Sequence, residues 1–170
     1  ANSLTITNGG AVDLDGAVTA PGGFASSGTT FDSTGATITT TNQAITINHS
    51  GAVIVGGALS SGSGNVSISA TGAIDLGGAT DVQLGSEVTM TSGAPVTLDA
   101  VKGRFDLTVD ADAITLEAGI GVADAPTGVT LVSVNALDVG AAAPITSTGL
   151  VSLESTAGAV GINAAVTAES

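Results

Sequence analysis

The sequence predicts an all-β fold, a right-handed parallel β-helix (solenoid) of about eight turns of about 21 residues, and three observations predict it. Apolar residues sit two apart in short groups separated by turn formers, as in Ile45-Thr46-Ile47, Val53-Ile54-Val55 and Leu59, punctuated by Ser50-Gly51 and Gly56-Gly57. The groups recur: advancing by 21 gives Val66-Ser67-Ile68 and Ile74-Asp75-Leu76, and going back 41 positions from Ile45, Ile47, Val53, Val55 and Leu59 lands on Leu4, Ile6, Val12, Leu14 and Val18. Finally, the chain has no Trp, Tyr or Cys and only three Phe, yet 43% of it is hydrophobic, so small aliphatic side chains must fill a narrow core. A unit that cannot bury its own apolar face must stack on its neighbours.

Taken in order, the units repeat one phrase. The first, from Asn2 to about Pro21, carries Leu4-Thr5-Ile6, Val12-Asp13-Leu14 and Val18 around the turn Asn8-Gly9-Gly10. Each apolar-polar-apolar triplet reads as a strand whose middle side chain faces solvent. The second unit, residues 22 to 43, matches poorly, with Phe24 and Phe31 in a Gly/Ser/Thr-rich stretch and only Ala36-Thr37-Ile38 clear; a protruding or irregular loop is expected there. The fifth unit has Val88-Thr89-Met90 and Val96-Thr97-Leu98, and the sixth Phe105 to Val109 and Ile114-Thr115-Leu116. The seventh has Val129-Thr130-Leu131 and Leu137-Asp138-Val139, and the eighth Leu150 to Leu153, Val160-Gly161-Ile162 and Val166. A spacing of two, with Gly or Thr interrupting each segment, argues against helix. A β-sandwich would lack the fixed period. No composition break divides the chain, so residues 1–170 read as one solenoid domain, either a segment of a longer repetitive exoprotein or a filament subunit.

Charge narrows the function classes. Fifteen acids against two bases give a net charge of −13. Nucleic-acid binding draws on Lys and Arg to neutralise phosphates, so that partner class is set aside. Apolar runs far shorter than the ~20 residues that span a bilayer predict no membrane insertion. No basic and apolar leader opens the sequence, so export is expected either through a leader already removed or as part of a longer polypeptide.

The unit of apolar-x-apolar, Asn/Gly turn, apolar-x-apolar and Gly-x-apolar resembles the repeats of filamentous haemagglutinin and related exoproteins of two-partner secretion, and is similar to autotransporter passenger domains. The residues carrying the resemblance are Leu4 to Val18, Ile45 to Leu59, Val66 to Leu76 and Leu137 to Val139. The resemblance implies a bacterial extracellular or cell-surface stalk used in adhesion, assembly or toxin delivery, with no catalytic residues to carry over.

Candidate sites follow from stacking the units. The middle residues Thr5, Thr46, Ser67, Thr89, Thr108, Thr130 and Ser152 should form a hydroxyl ladder. An ice-binding face would want a second Thr column, whereas the partner positions Thr7, Asn48, Ser69, Thr91 and Asp110 are mixed. Asp106, Asp110, Asp112 and Glu117 form the densest acidic group, but calcium needs six to eight converging oxygens, so a solvated acidic face is expected. Asp13, Asp75 and Asp138 are dispersed through units one, four and seven, which avoids stacked like charges. No cofactor is expected, and divalent cations would be held only nonspecifically. The lone His49 reads as an ordinary turn residue. Gly-Gly pairs at 9–10, 22–23, 56–57 and 77–78 read as turns. Lys102 and Arg104, isolated bases beside Asp106, are candidates for contact with a neighbouring subunit. A carbohydrate-active β-helix would need cations and aromatic platforms that this chain lacks, so no enzyme is expected. The terminal units, with Leu4, Ile6, Val12 and Leu14 at one end and Val160, Ile162 and Val166 at the other, are already in full pattern. They predict uncapped ends that join head to tail with another copy, or continue into neighbouring repeats of the same chain.

Overall fold

A computed structural model describes residues 1–77, 82–83, 87–122 and 124–169. Gly78 of the last glycine pair and the final Ser170 lie outside these residues. Every regular element in the described residues is a strand, and every pairing is parallel. Each coil of chain contributes one strand to each of three faces, save that the sixth reaches the third face only through Ile120.

The first face is an eight-stranded sheet made of Leu4–Thr7, Phe24–Gly28, Ile45–His49, Val66–Ala70, Val88–Ser92, Asp106–Ala111, Gly128–Ser133 and Val151–Ser155. The second face, also eight-stranded, runs from Val12–Asp13 and Phe31–Asp32 through Val53–Ile54, Ile74–Asp75, Val96–Leu98, Ile114–Leu116 and Leu137–Val139 to Val160–Ile162. The third holds Val18–Thr19, Ile38–Thr39, Leu59–Ser60, Val82–Gln83 and Val101–Lys102, then Ile145–Ser147 and Val166–Ala168. Single bridges from Ile120 to Val101 and to Ile145 join its two parts.

Register on the first face advances by 20, 21, 21, 22, 19, 22 and 22 residues from Leu4 to Val151. Eight strands are thus separated by seven steps averaging 21 residues, so the solenoid has about seven complete turns, against eight expected. The eighth unit supplies strands with no coil above them.

Alternation decides what is buried. In Ile45–His49 and Val66–Ala70 the first, third and fifth side chains are inside and the second is exposed. Ile45, Ile47, Val53, Leu59, Ile74 and Leu98 are all 0% exposed, because each inward side chain is covered by the coils on either side. Burial of such a side chain stabilises by about 1.5–3 kcal/mol relative to leaving it in water.

The second unit is no protruding loop. Phe24–Gly28, Phe31–Asp32 and Ile38–Thr39 take the same three places as their neighbours, and Phe24 and Phe31 are buried. Phe24 registers with Leu4 and Ile45, and Phe31 with Val12 and Val53. The unit is hard to read because inward positions there carry Ser26, Ser33 and Thr40, and the two rings, 6.3 Å apart edge to face, supply the bulk that these hydroxyl residues lack. Leu150 also departs from expectation: the inward alternation begins at Val151, and Leu150 is left 72% exposed.

Candidate functional site

The predicted ladder exists. Thr5, Ala25, Thr46, Ser67, Thr89, Thr108, Thr130 and Ser152 are successive register partners, with Ala25 filling the place that the second unit left unread. Its neighbouring column runs Thr7, Ser27, Asn48, Ser69, Thr91, Asp110, Val132 and Glu154. Stacked Thr and Ser side chains suit an exposed strand face and pair favourably between strands.

The acidic group does not converge. Asp106 and Asp110 lie exposed on one strand of the first face, where Asp106 Oδ1 accepts from Thr127 Oγ1 at 2.7 Å. Asp112 Oδ1 accepts from Asn135 Nδ2 at 2.7 Å, and Glu117 follows Ile114–Leu116 of the second face. Among the described residues no three His, Cys, Asp or Glu side chains are grouped as they would be around a metal. On the second face Asp13 registers directly with Asp32, so the dispersal of acids is incomplete. Asp32 turns its Oδ1 to the Thr34 backbone N–H at 2.8 Å and the Thr34 hydroxyl at 2.6 Å, which gives the charge local donors. Asp75 does the same with the Gly77 N–H.

Of the two bases, Arg104 is 84% exposed and its Nε meets Asp124 Oδ1 at 3.3 Å, rather than Asp106. It borders an open depression lined by Asp124, Ala125, Thr127 and Thr148. Lys102 lies on the third face, in register with Gln83.

His49 is not a turn residue. It ends a first-face strand, points inward and is 2% exposed. Its Nε2 lies 3.0 Å from the buried Ser26 Oγ, and its ring sits 5.4 Å from that of Phe31. Nδ1 finds no hydrogen-bond partner of good geometry. Burial pushes the imidazole below its ordinary pKa, an effect that the Thr30 backbone only partly opposes. A hydroxyl beside an imidazole is the chemistry of an activated nucleophile. Here both groups are sealed inside the coil, which keeps a substrate away. The signal that would have found the pair is register: His49 is the fifth residue of its strand, on the same face as Ile45 and Ile47, and Ser26 stands in their column one coil below.

The coil ends differ from the middle. At the first coil Leu4 is 37% exposed and Ile6 and Leu14 are half-buried, although Val12 is already buried at 6%. At the last, Val160 is 40%, Ile162 51% and Val166 38% exposed. These are inward positions whose register partners in the interior, such as Leu137 and Val139, are 0–1% exposed.

No family model, no curated protein and no solved structure matches the chain. What the molecule does is therefore argued from its own geometry.

Proposed function

We propose that the chain is a structural segment of an extracellular bacterial fibre or stalk, of the kind its repeats resemble in two-partner secretion exoproteins, and that its end coils are built to be continued by further coils. The observation that supports this is the exposure of Leu4, Val160, Ile162 and Val166, inward positions whose counterparts such as Ile45, Leu137, Val139 and Ile145 are dry. An open coil presents unpaired backbone groups beside an apolar cross-section, and another parallel coil satisfies both.

The two ends suit one another in register. Placing the first coil on the last sets Leu4 on Val151, Ile6 on Leu153, Val12 on Val160, Leu14 on Ile162 and Val18 on Val166. It also sets Thr7 on Glu154 and Asp13 on Gly161, so no acid meets an acid. The occupant is thus a second copy, or an equivalent repeat of the same polypeptide. A contact of one end with the opposite end does not close and yields a filament.

Electron microscopy of the purified polypeptide tests this. Fibres with a repeat of about 38 Å, eight coils at ~4.8 Å, are expected. Ile162→Lys, at a half-exposed position, should leave the coils folded and abolish the fibres. A wild-type chain that stays monomeric and monodisperse overturns the reading.

A further inference from the structure

Buried polar side chains are densest around the second and third coils, where Ser26, Ser33, Thr40, His49 and Ser61 lie inside, whereas Ser92, Ser133 and Ser147 are scattered through later coils. His49 has a fitted niche there. Its register partners are Gly28 below and Ala70 above, the smallest residues available, and a Cβ on Gly28 would stand 3.2 Å from His49 Cε1 and 2.6 Å from the Gly10 carbonyl oxygen. Gly28 therefore clears the space that the imidazole fills. Ser26 supplies a bond to Nε2, and Phe31 closes the side.

No charged side chain faces the ring, and only the Thr30 backbone favours its protonated form. The strands that enclose it, Phe24–Gly28, Val53–Ile54 and Val66–Ala70, carry no ionisable side chain, nor does its own strand apart from His49 itself. On Phe31–Asp32, Asp32 follows the inward Phe31 and so projects outward, with its Oδ1 engaged by Thr34; Asp13, its register partner, is exposed.

We propose that the His49 niche is an acid-triggered opening point, which loosens the second and third coils below neutral pH while the remaining coils stay closed. The imidazole is neutral in the closed coil. A group that binds its proton less readily when closed than when open makes acid favour the open state. With the open-state histidine at its ordinary 6.5, the opening equilibrium begins to rise as pH falls through that value. Between pH 7 and pH 5 it rises by up to about twenty-fivefold. A solenoid transmits stability only between neighbouring coils, so a local loss of this kind stays local.

Site-resolved hydrogen exchange at pH 7 and pH 5, corrected for the intrinsic pH dependence of exchange, reads this directly, together with the NMR titration of the single histidine. We expect amides of residues 24–32 and 45–54 to lose at least tenfold protection at pH 5. Residues 107–116 and 129–139 should keep theirs, and His49→Gln, which stays neutral, should remove the difference. A histidine titrating at or above 6.5, protection lost equally in all coils, or an unchanged response in His49→Gln would each overturn the proposal. The wild-type comparison between coils decides the matter even where the variant does not fold. It is also independent of end-to-end assembly, since it reads the coils of the single chain.

Discussion

Gly57 illustrates how little room a coil leaves its neighbour. A Cβ built there would run into the backbone of Ala36 one coil below, whereas a Cβ on Gly16 meets nothing within 4 Å. Backbone cannot rotate aside as a side chain can, so accommodation needs the stacked coils to part. We expect Gly57→Ala to destabilise by about 1–3 kcal/mol, and Gly16→Ala to stay within about 0.5 kcal/mol. Denaturant unfolding of the two variants checks this, and equal effects would mean that coil spacing does not depend on bare backbone at Gly57. Sequence reading places Gly57 in a turn; only stacking shows what a side chain there would meet.

Along a strand, register decides which residues matter. Phe31 looks misplaced in a Gly/Ser/Thr stretch, yet it stands in line with Val12 and Val53, covers His49 and meets Phe24. Removing its ring leaves a cavity beside Phe24 and the imidazole. Phe31→Ala should cost about 3–5 kcal/mol. Hydrogen exchange should show the loss in the second and third coils first. A uniform loss along the solenoid would contradict the nearest-neighbour coupling on which that expectation rests. The other triplets were legible because apolar residues two apart announce a half-buried strand. The second unit was not, because bulk was exchanged between positions: large rings at Phe24 and Phe31 accompany hydroxyls at Ser26 and Ser33, and a pattern search sees only the hydroxyls.

For the molecule as a whole, charge sets how rods meet sideways. Thirteen net negative charges along about 38 Å leave about 3 Å of axis per charge, well within the ~8 Å Debye length at physiological salt. Rods should therefore stay dispersed at low salt and bundle when magnesium or calcium is added, which light scattering will register; scattering indifferent to both cations would remove the idea. The outward positions of the first five strands of the first face carry no charged side chain, so lateral contact should form there. Some acids sit beside a donor, as Asp112 does with Asn135, and no metal-binding group arises from the acids among the described residues.

The sequence by itself determined the solenoid, its period and the identity of the outward hydroxyl column, because those follow from a spacing of two repeated at a nearly constant interval, and each residue can be assigned a face without knowing its neighbours. It also supplied the apolar end residues, though not the burial of Val12. Only the tertiary structure decided what lies between coils: that Ser26 reaches His49, that Gly28 makes room for it, that Asp13 stacks on Asp32, and that Arg104 pairs with Asp124. These contacts join residues about one period apart whose offset varies from 19 to 23, and a shift of a single residue turns a side chain from the core to the solvent. Local spacing cannot carry that information, because the offset is set by the packing of whole coils.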